Sequence, residues 1–241
     1  MVRSGVSRDA LNAVARAMVA DGKGLLAIDE SNPTCNRRFA AQGIPQTEQA
    51  RRAWREVILT TPDLEQSISG VILYDETIRQ SDHAGTPFLS IIAAAGIMPG
   101  IKVDAGLTDL AGHPGEQATE GLDGLRRRLA DYAAMGARFA KWRTVFALAP
   151  GLPTRTAIET NAHALARYAA LCQEAGLVPV IEPEVLMAGS HGIARSAEAS
   201  EAVLRAVFAH ATDQGVMLEG MVLKTNMVLA GLDCPVQDGL E

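Results

Sequence analysis

Along this chain, short apolar runs bounded by glycine or proline alternate with longer segments of helical period. The opening stretch places Leu11, Val14, Ala15, Met18 and Val19 at helical spacing, with Asp9, Asn12 and Arg16 opposite them. That pattern predicts an amphipathic helix rather than a signal peptide. Six strand candidates follow, at 24–29, 70–74, 100–104, 137–142, 178–182 and 218–224, most of them near-continuously apolar. A strand buried on both faces reads this way. Helical segments at 46–60, 121–135, 154–175 and 196–214 are long enough to cross back over a sheet, and the rhythm is that of β/α units in a parallel sheet.

Such a sheet is either open and doubly wound or closed into a barrel. The first normally carries a glycine-rich phosphate loop after its first strand, whereas here Asp29 is followed by Glu30-Ser31-Asn32-Pro33-Thr34. The barrel is therefore favoured. The 241 residues, 48% hydrophobic and 21% charged, are close to the length of one eight-fold β/α barrel, so 1–241 is expected to be a single domain.

A net charge of −6, with Arg126-Arg127-Arg128 set among acidic residues, argues against a nucleic-acid partner, while a small phosphorylated anion needs only a few local cations. No segment approaches the length of an apolar membrane span. Cys35, Cys172 and Cys234 are widely spaced, as expected of reduced thiols in a cytoplasmic protein. The five histidines lack zinc-site spacing, so no metal is expected, although zinc polarising a carbonyl is the mechanistic competitor.

The informative charges stand where apolar strands end: Asp29 on the first strand, Lys102 and Asp104 on the third, Lys141 and Arg143 on the fourth, Glu182 and Glu184 on the fifth, Lys224 on the sixth. In a parallel barrel these ends converge on one mouth. Any single one could be the point where a strand meets solvent, but together they suit imine chemistry on a carbonyl substrate. Apolar neighbours are expected to lower a strand-end lysine's pKa and so free its amine.

The segments 26–32 (LAIDESN), 100–104 (GIKVD), 121–125 (GLDGL), 139–143 (FAKWR), 180–184 (VIEPE) and 223–227 (LKTNM) resemble, in order, the motifs of class I fructose-1,6-bisphosphate aldolases. The similarity runs from about residue 7 to the end. It implies an α/β fold of the TIM (β/α)8-barrel family, here about its first six units. It further implies that Lys224 forms a Schiff base with the sugar's C2 ketone, that Glu182 with Glu184 shuttles protons, that Asp29 takes the C4 hydroxyl proton, and that Lys141 stabilises charge and orients Glu182 and Asp29. Ser31, Thr34, Lys102, Arg143 and Arg38 match positions that hold substrate phosphates, and Trp142 is expected in the core. The implied ligand is a sugar phosphate, with no cofactor beyond the covalent Schiff base; family members are often tetramers, so a homotetramer is an option for the full-length form.

The resemblance has gaps. Two further strands, a Ser-Gly-Gly loop, an arginine that grips the C1 phosphate and a C-terminal tyrosine have no counterpart, so the chain is expected to be truncated, with little activity of its own. Ala105, Thr225 and the 189–191 turn also depart from the family's usual residues. The rival readings are another Schiff-base barrel, such as a transaldolase or deoxyribose-phosphate aldolase, and a catalytically dead fragment acting as a scaffold.

Overall fold

A computed structural model describes residues 7–20 and 22–237. Helix α1 (Arg8–Met18) is capped by the Ser7 hydroxyl, which accepts from the Ala10 backbone N–H. Six parallel strands then form one sheet: β1 (Gly24–Ala27), β2 (Ile68–Leu73), β3 (Met98–Lys102), β6 (Phe139–Phe146), β7 (Val178–Val185) and β8 (Val222–Leu223). An antiparallel hairpin, β4 (Gly106–Asp109) and β5 (Gln117–Glu120), is inserted after β3. The strands lie side by side in chain order, with β1 and β8 as the edges. Sequential order is the winding of a barrel; a doubly wound sheet reverses its order at a switch point.

The expected long helices are present as α3 (Glu48–Leu59), α6 (Leu125–Met135), α7 (Arg155–Glu174) and α8 (Ile193–Asp213). Sequence patterning did not mark α2 (Asn32–Ala41), α4 (Asp75–Ile78), α5 (Phe88–Ala94) or the hairpin. Pro33 sits in the first turn of α2, where its missing N–H has no partner to lose.

Three strand boundaries need correcting. The fourth and fifth candidates continue to Phe146 and Val185, because the charges read as their ends are paired across the sheet rather than released to solvent. The sixth shrinks: 218–220 is a 3-10 turn and β8 is only Val222–Leu223. Pro179 and Pro183 explain the brevity. Val178 and Leu186 donate their N–H groups toward β6, so alternate residues of β7 face β8. On that side both prolines lack the donor, leaving Ile181 between them to pair, and its carbonyl accepts from Lys224 N–H at 2.9 Å.

The sheet interior and exterior follow strict alternation. On the outer face Ile28, Val71, Leu73, Ile101, Ala140, Trp142, Phe146, Ile181 and Val185 pack beneath the helices, with Leu165, Tyr168, Val203 and Val207. Trp142 is fully buried there against Tyr168, ring centroids 5.4 Å apart, so it is core as expected. On the inner face Leu25, Ile72, Met98, Phe139, Val178, Val180 and Val222 form a second cluster, closed from below by Leu11, Ala15 and Met18 of α1. Phe139 fits because Gly70 and Gly100 flank it; a Cβ at Gly100 would lie 2.1 Å from the ring.

Candidate active site

Two residues further along the same inward parity, the apolar floor gives way to ionisable side chains. Lys141 on β6 and Glu182 on β7 are both buried, at 5% and 6% exposure, and Asp29, two residues beyond the end of β1, is buried at 8%. Lys141 Nζ donates to Asp29 Oδ2 at 3.0 Å. It also lies 2.7 Å from Glu182 Oε2, a second ion pair. Glu182 Oε1 accepts from Lys224 Nζ, just past β8. Four side chains, two within β6 and β7 and two just past β1 and β8, thus form one connected chain, Asp29–Lys141–Glu182–Lys224.

Lys141 reverses the expectation that apolar neighbours lower a strand-end lysine. Burial alone would depress it and is the largest single influence, but Asp29 and Glu182 together outweigh it and hold the ammonium above the usual lysine range. Lys141 is therefore a fixed cation between two carboxylates. Lys224 differs in accessibility: its side chain is 43% exposed, so a substrate can reach it.

A second group lies at the rim. Arg143 pairs through Nε with Glu184 Oε2 at 2.5 Å. Its guanidinium is opposed by burial but raised more by Glu184, Glu182 and Asp104, and stays firmly charged. Asp104, expected at the mouth but given no role by the resemblance, organises this group. It accepts from the Lys102 ammonium, from Arg143 N–H and from Gly106 N–H, the last two at 3.3 Å. Lys102 also donates to the Asp104 carbonyl at 3.1 Å. A carboxylate two residues from a lysine on one inward-facing register was a readable signal.

Ser31 and Thr34 come together at the start of α2, Ser31 Oγ donating to Thr34 Oγ1 at 3.1 Å. Arg38 stands apart from the Lys141 cluster, 67% exposed and paired with Glu30 at 2.7 Å. Glu30 and the buried Arg51 and Arg55 were also missed. The two arginines sit on the inner face of α3, while Trp54 and Val57 face outward, the opposite of what hydrophobic patterning predicts. Cys35, Cys172 and Cys234 are free thiols. Among the described residues, no group of His, Cys, Asp and Glu is spaced to hold a metal ion.

A singly wound parallel sheet with ionisable residues gathered on its inner face, above an apolar floor, is the frame on which β/α-barrel enzymes build active sites. Comparison with known proteins narrows that class. The model of the fructose-bisphosphate aldolase class-I family matches residues 10–241. A probable class 1 fructose-bisphosphate aldolase of Xanthomonas axonopodis pv. citri is 56% identical over 98% of this chain and 71% of its own length. The cytosolic fructose-bisphosphate aldolase 6 of Arabidopsis thaliana is 48% identical over 92% of this chain and 62% of its own. A solved Plasmodium falciparum fructose-bisphosphate aldolase, crystallised with TRAP and a small-molecule inhibitor, superposes with a TM-score of 0.95 at 41% identity, covering 98% of this chain and 70% of that one. The chain belongs to the class I fructose-bisphosphate aldolase family, whose reaction is the reversible cleavage of fructose 1,6-bisphosphate to dihydroxyacetone phosphate and glyceraldehyde 3-phosphate through a lysine Schiff base.

Proposed function

We propose that Lys224 is the Schiff-base nucleophile of this chain and that Glu182, Lys141 and Asp29 carry its proton transfers. The observation that supports this most is the single carboxylate of Glu182 touching both lysines, Lys224 through one oxygen and Lys141 through the other. Only a neutral amine attacks a carbonyl, and Glu182 is placed to accept the proton that Lys224 gives up. The amine adds to C2 of the open-chain sugar. Glu182 returns the proton to the departing hydroxyl, which leaves as water, and the iminium remains.

Asp29 then takes the C4 hydroxyl proton as the C3–C4 bond breaks. The bonding electrons move into the iminium to give an enamine, and the C4 fragment departs as glyceraldehyde 3-phosphate. Protonation at C3 and hydrolysis release dihydroxyacetone phosphate and regenerate the amine. Lys141 bridges the carboxylates of Asp29 and Glu182, and Glu184 holds Arg143 at the rim. Lys102, Arg143, Arg38, Ser31 and Thr34 supply cations and hydroxyls for the substrate phosphates. The iminium is the electron sink, so the reading calls for no metal or cofactor. We place the protein in the cytoplasm, as for the cytosolic relative, and assign a sugar phosphate as its ligand; a homotetramer of the full-length form rests on the family resemblance alone.

Borohydride reduction with dihydroxyacetone phosphate, followed by peptide mass mapping, tests the assignment. An adduct on Lys224 is expected. A folded protein that gains no adduct, or gains it on another lysine, would overturn it, and turnover abolished by EDTA would point to a metal instead.

A further inference from the structure

The chemistry above makes no use of Arg55, although its side chain is only 2% exposed. A buried guanidinium needs a counter-charge, and among the described residues Arg55 has one, Glu30. Its Nη1 lies 2.9 Å from Glu30 Oε2, and its Nη2 donates to the Glu30 backbone carbonyl at 3.2 Å. The other Glu30 oxygen accepts from Arg38 Nη1 at 2.7 Å. Glu30 stands between Asp29 and Ser31, and its carboxylate is shared by a fixed interior arginine and a solvent-exposed one on α2. Arg51 braces the same segment, donating to Glu76 at 2.7 Å and to Asn36 at 2.9 Å while Asn32 donates to Glu76 at 3.0 Å.

We propose that Arg55 is a positioning residue that sets the charge of the phosphate-binding corner by holding and neutralising Glu30, which leaves the charge of Arg38 available to the substrate's C6 phosphate. The inference rests on the reading of Arg38 as a phosphate ligand. Two guanidiniums against one carboxylate leave a net positive corner. Without Arg55 the remaining pair is neutral, and an arriving phosphate must displace a carboxylate that also repels it.

The test is the sugar concentration giving half-maximal borohydride trapping on Lys224, compared for fructose 1,6-bisphosphate and fructose 1-phosphate, which lacks the C6 phosphate. Arg55→Gln is expected to raise the bisphosphate value by about three- to tenfold and leave the monophosphate value unchanged. Adding Glu30→Gln to that variant is expected to restore the bisphosphate value, an outcome that a merely structural arginine would not produce. If Arg55→Gln does not fold, Glu30→Gln alone decides, since removing the acid should lower the bisphosphate value and leave the other unchanged. Equal losses for both sugars, a double variant no better than the single, or a Glu30→Gln variant that binds the bisphosphate more weakly would overturn the proposal alone. A parent chain that traps neither sugar overturns the Schiff-base reading and this inference with it.

Discussion

The lower and upper halves of the sheet's inner face are built from the same strands and the same side-chain parity, yet they do opposite things. Below, Ile72, Phe139, Val178 and Val180 close against α1 into an apolar floor. Above, one inward step along β6 and β7, Lys141 replaces Phe139 and Glu182 replaces Val180. The floor is held by shape: Phe139 occupies the space that Gly70 and Gly100 leave open. The upper layer is held by charge balance, one buried ammonium between two carboxylates. Buried groups of opposite sign can share a strand with an apolar core because each is paired before it is enclosed, and the apolar floor shields the pairs from water on one side.

Replacing Lys141 with Met should show the difference most strongly. It leaves Asp29 without its cation and Glu182 with only the half-exposed Lys224, which is expected to cost ~3–5 kcal/mol of stability, measured by urea denaturation, and to abolish trapping on Lys224. A fully stable variant would mean that the pairs are not part of the fold. The same pair predicts a pH dependence. Because the folded-state pKa of Lys141 is raised, the folded protein holds its proton more tightly than the unfolded chain does. That stabilisation is fully present below the ordinary lysine value of about 10.4 and is lost as pH climbs through the higher folded value. Denaturation midpoints of the parent should therefore drop above about pH 10.4, with a shallower drop in Lys141→Met; parallel curves would contradict the assignment.

Phe139→Ala probes the floor. It should cost ~3–5 kcal/mol through the cavity it opens yet still permit trapping at temperatures where the variant is folded. Gly100→Ala forces a Cβ into the Phe139 ring and should cost ~1–3 kcal/mol, an effect that shrinks when Phe139→Leu is added, because the two residues contact each other. Independent, additive losses would show that the ring and the glycine are not complementary. The smallest stability change belongs to Lys224→Met: under ~1 kcal/mol, since Lys141 still neutralises Glu182, while adduct formation disappears altogether. A large loss of stability there would make Lys224 a structural member of the cluster.

Much of this site was legible in advance. The charges at 29, 102, 104, 141, 143, 182, 184 and 224 were recognisable as unusual because they interrupt apolar runs, and all share the inward parity. Where those runs ended was misread on β6 and β7, since a charge within a strand looks like an exit to solvent unless its partner on the neighbouring strand is known. Arg51 and Arg55 were invisible for a related reason: on α3 they face inward and Trp54 outward, so amphipathic patterning points the helix the wrong way. The short β8 could have been anticipated from Pro179 and Pro183, whose missing donors are explicit in the sequence, but only once the register showed which edge they face.

The sequence by itself determined the β/α rhythm, the alternation that lines one face of the sheet, and the order of motifs that marks the family. These depend on periodicity and local chemistry, which adjacent residues carry. Tertiary structure decided which charges are partners. The pairing of residues 29, 141, 182 and 224, the anchoring of Glu30 by Arg55, and the seating of Phe139 between Gly70 and Gly100 each join segments far apart in the chain, and their energies depend on distance and burial, quantities that exist only after the strands have been laid side by side.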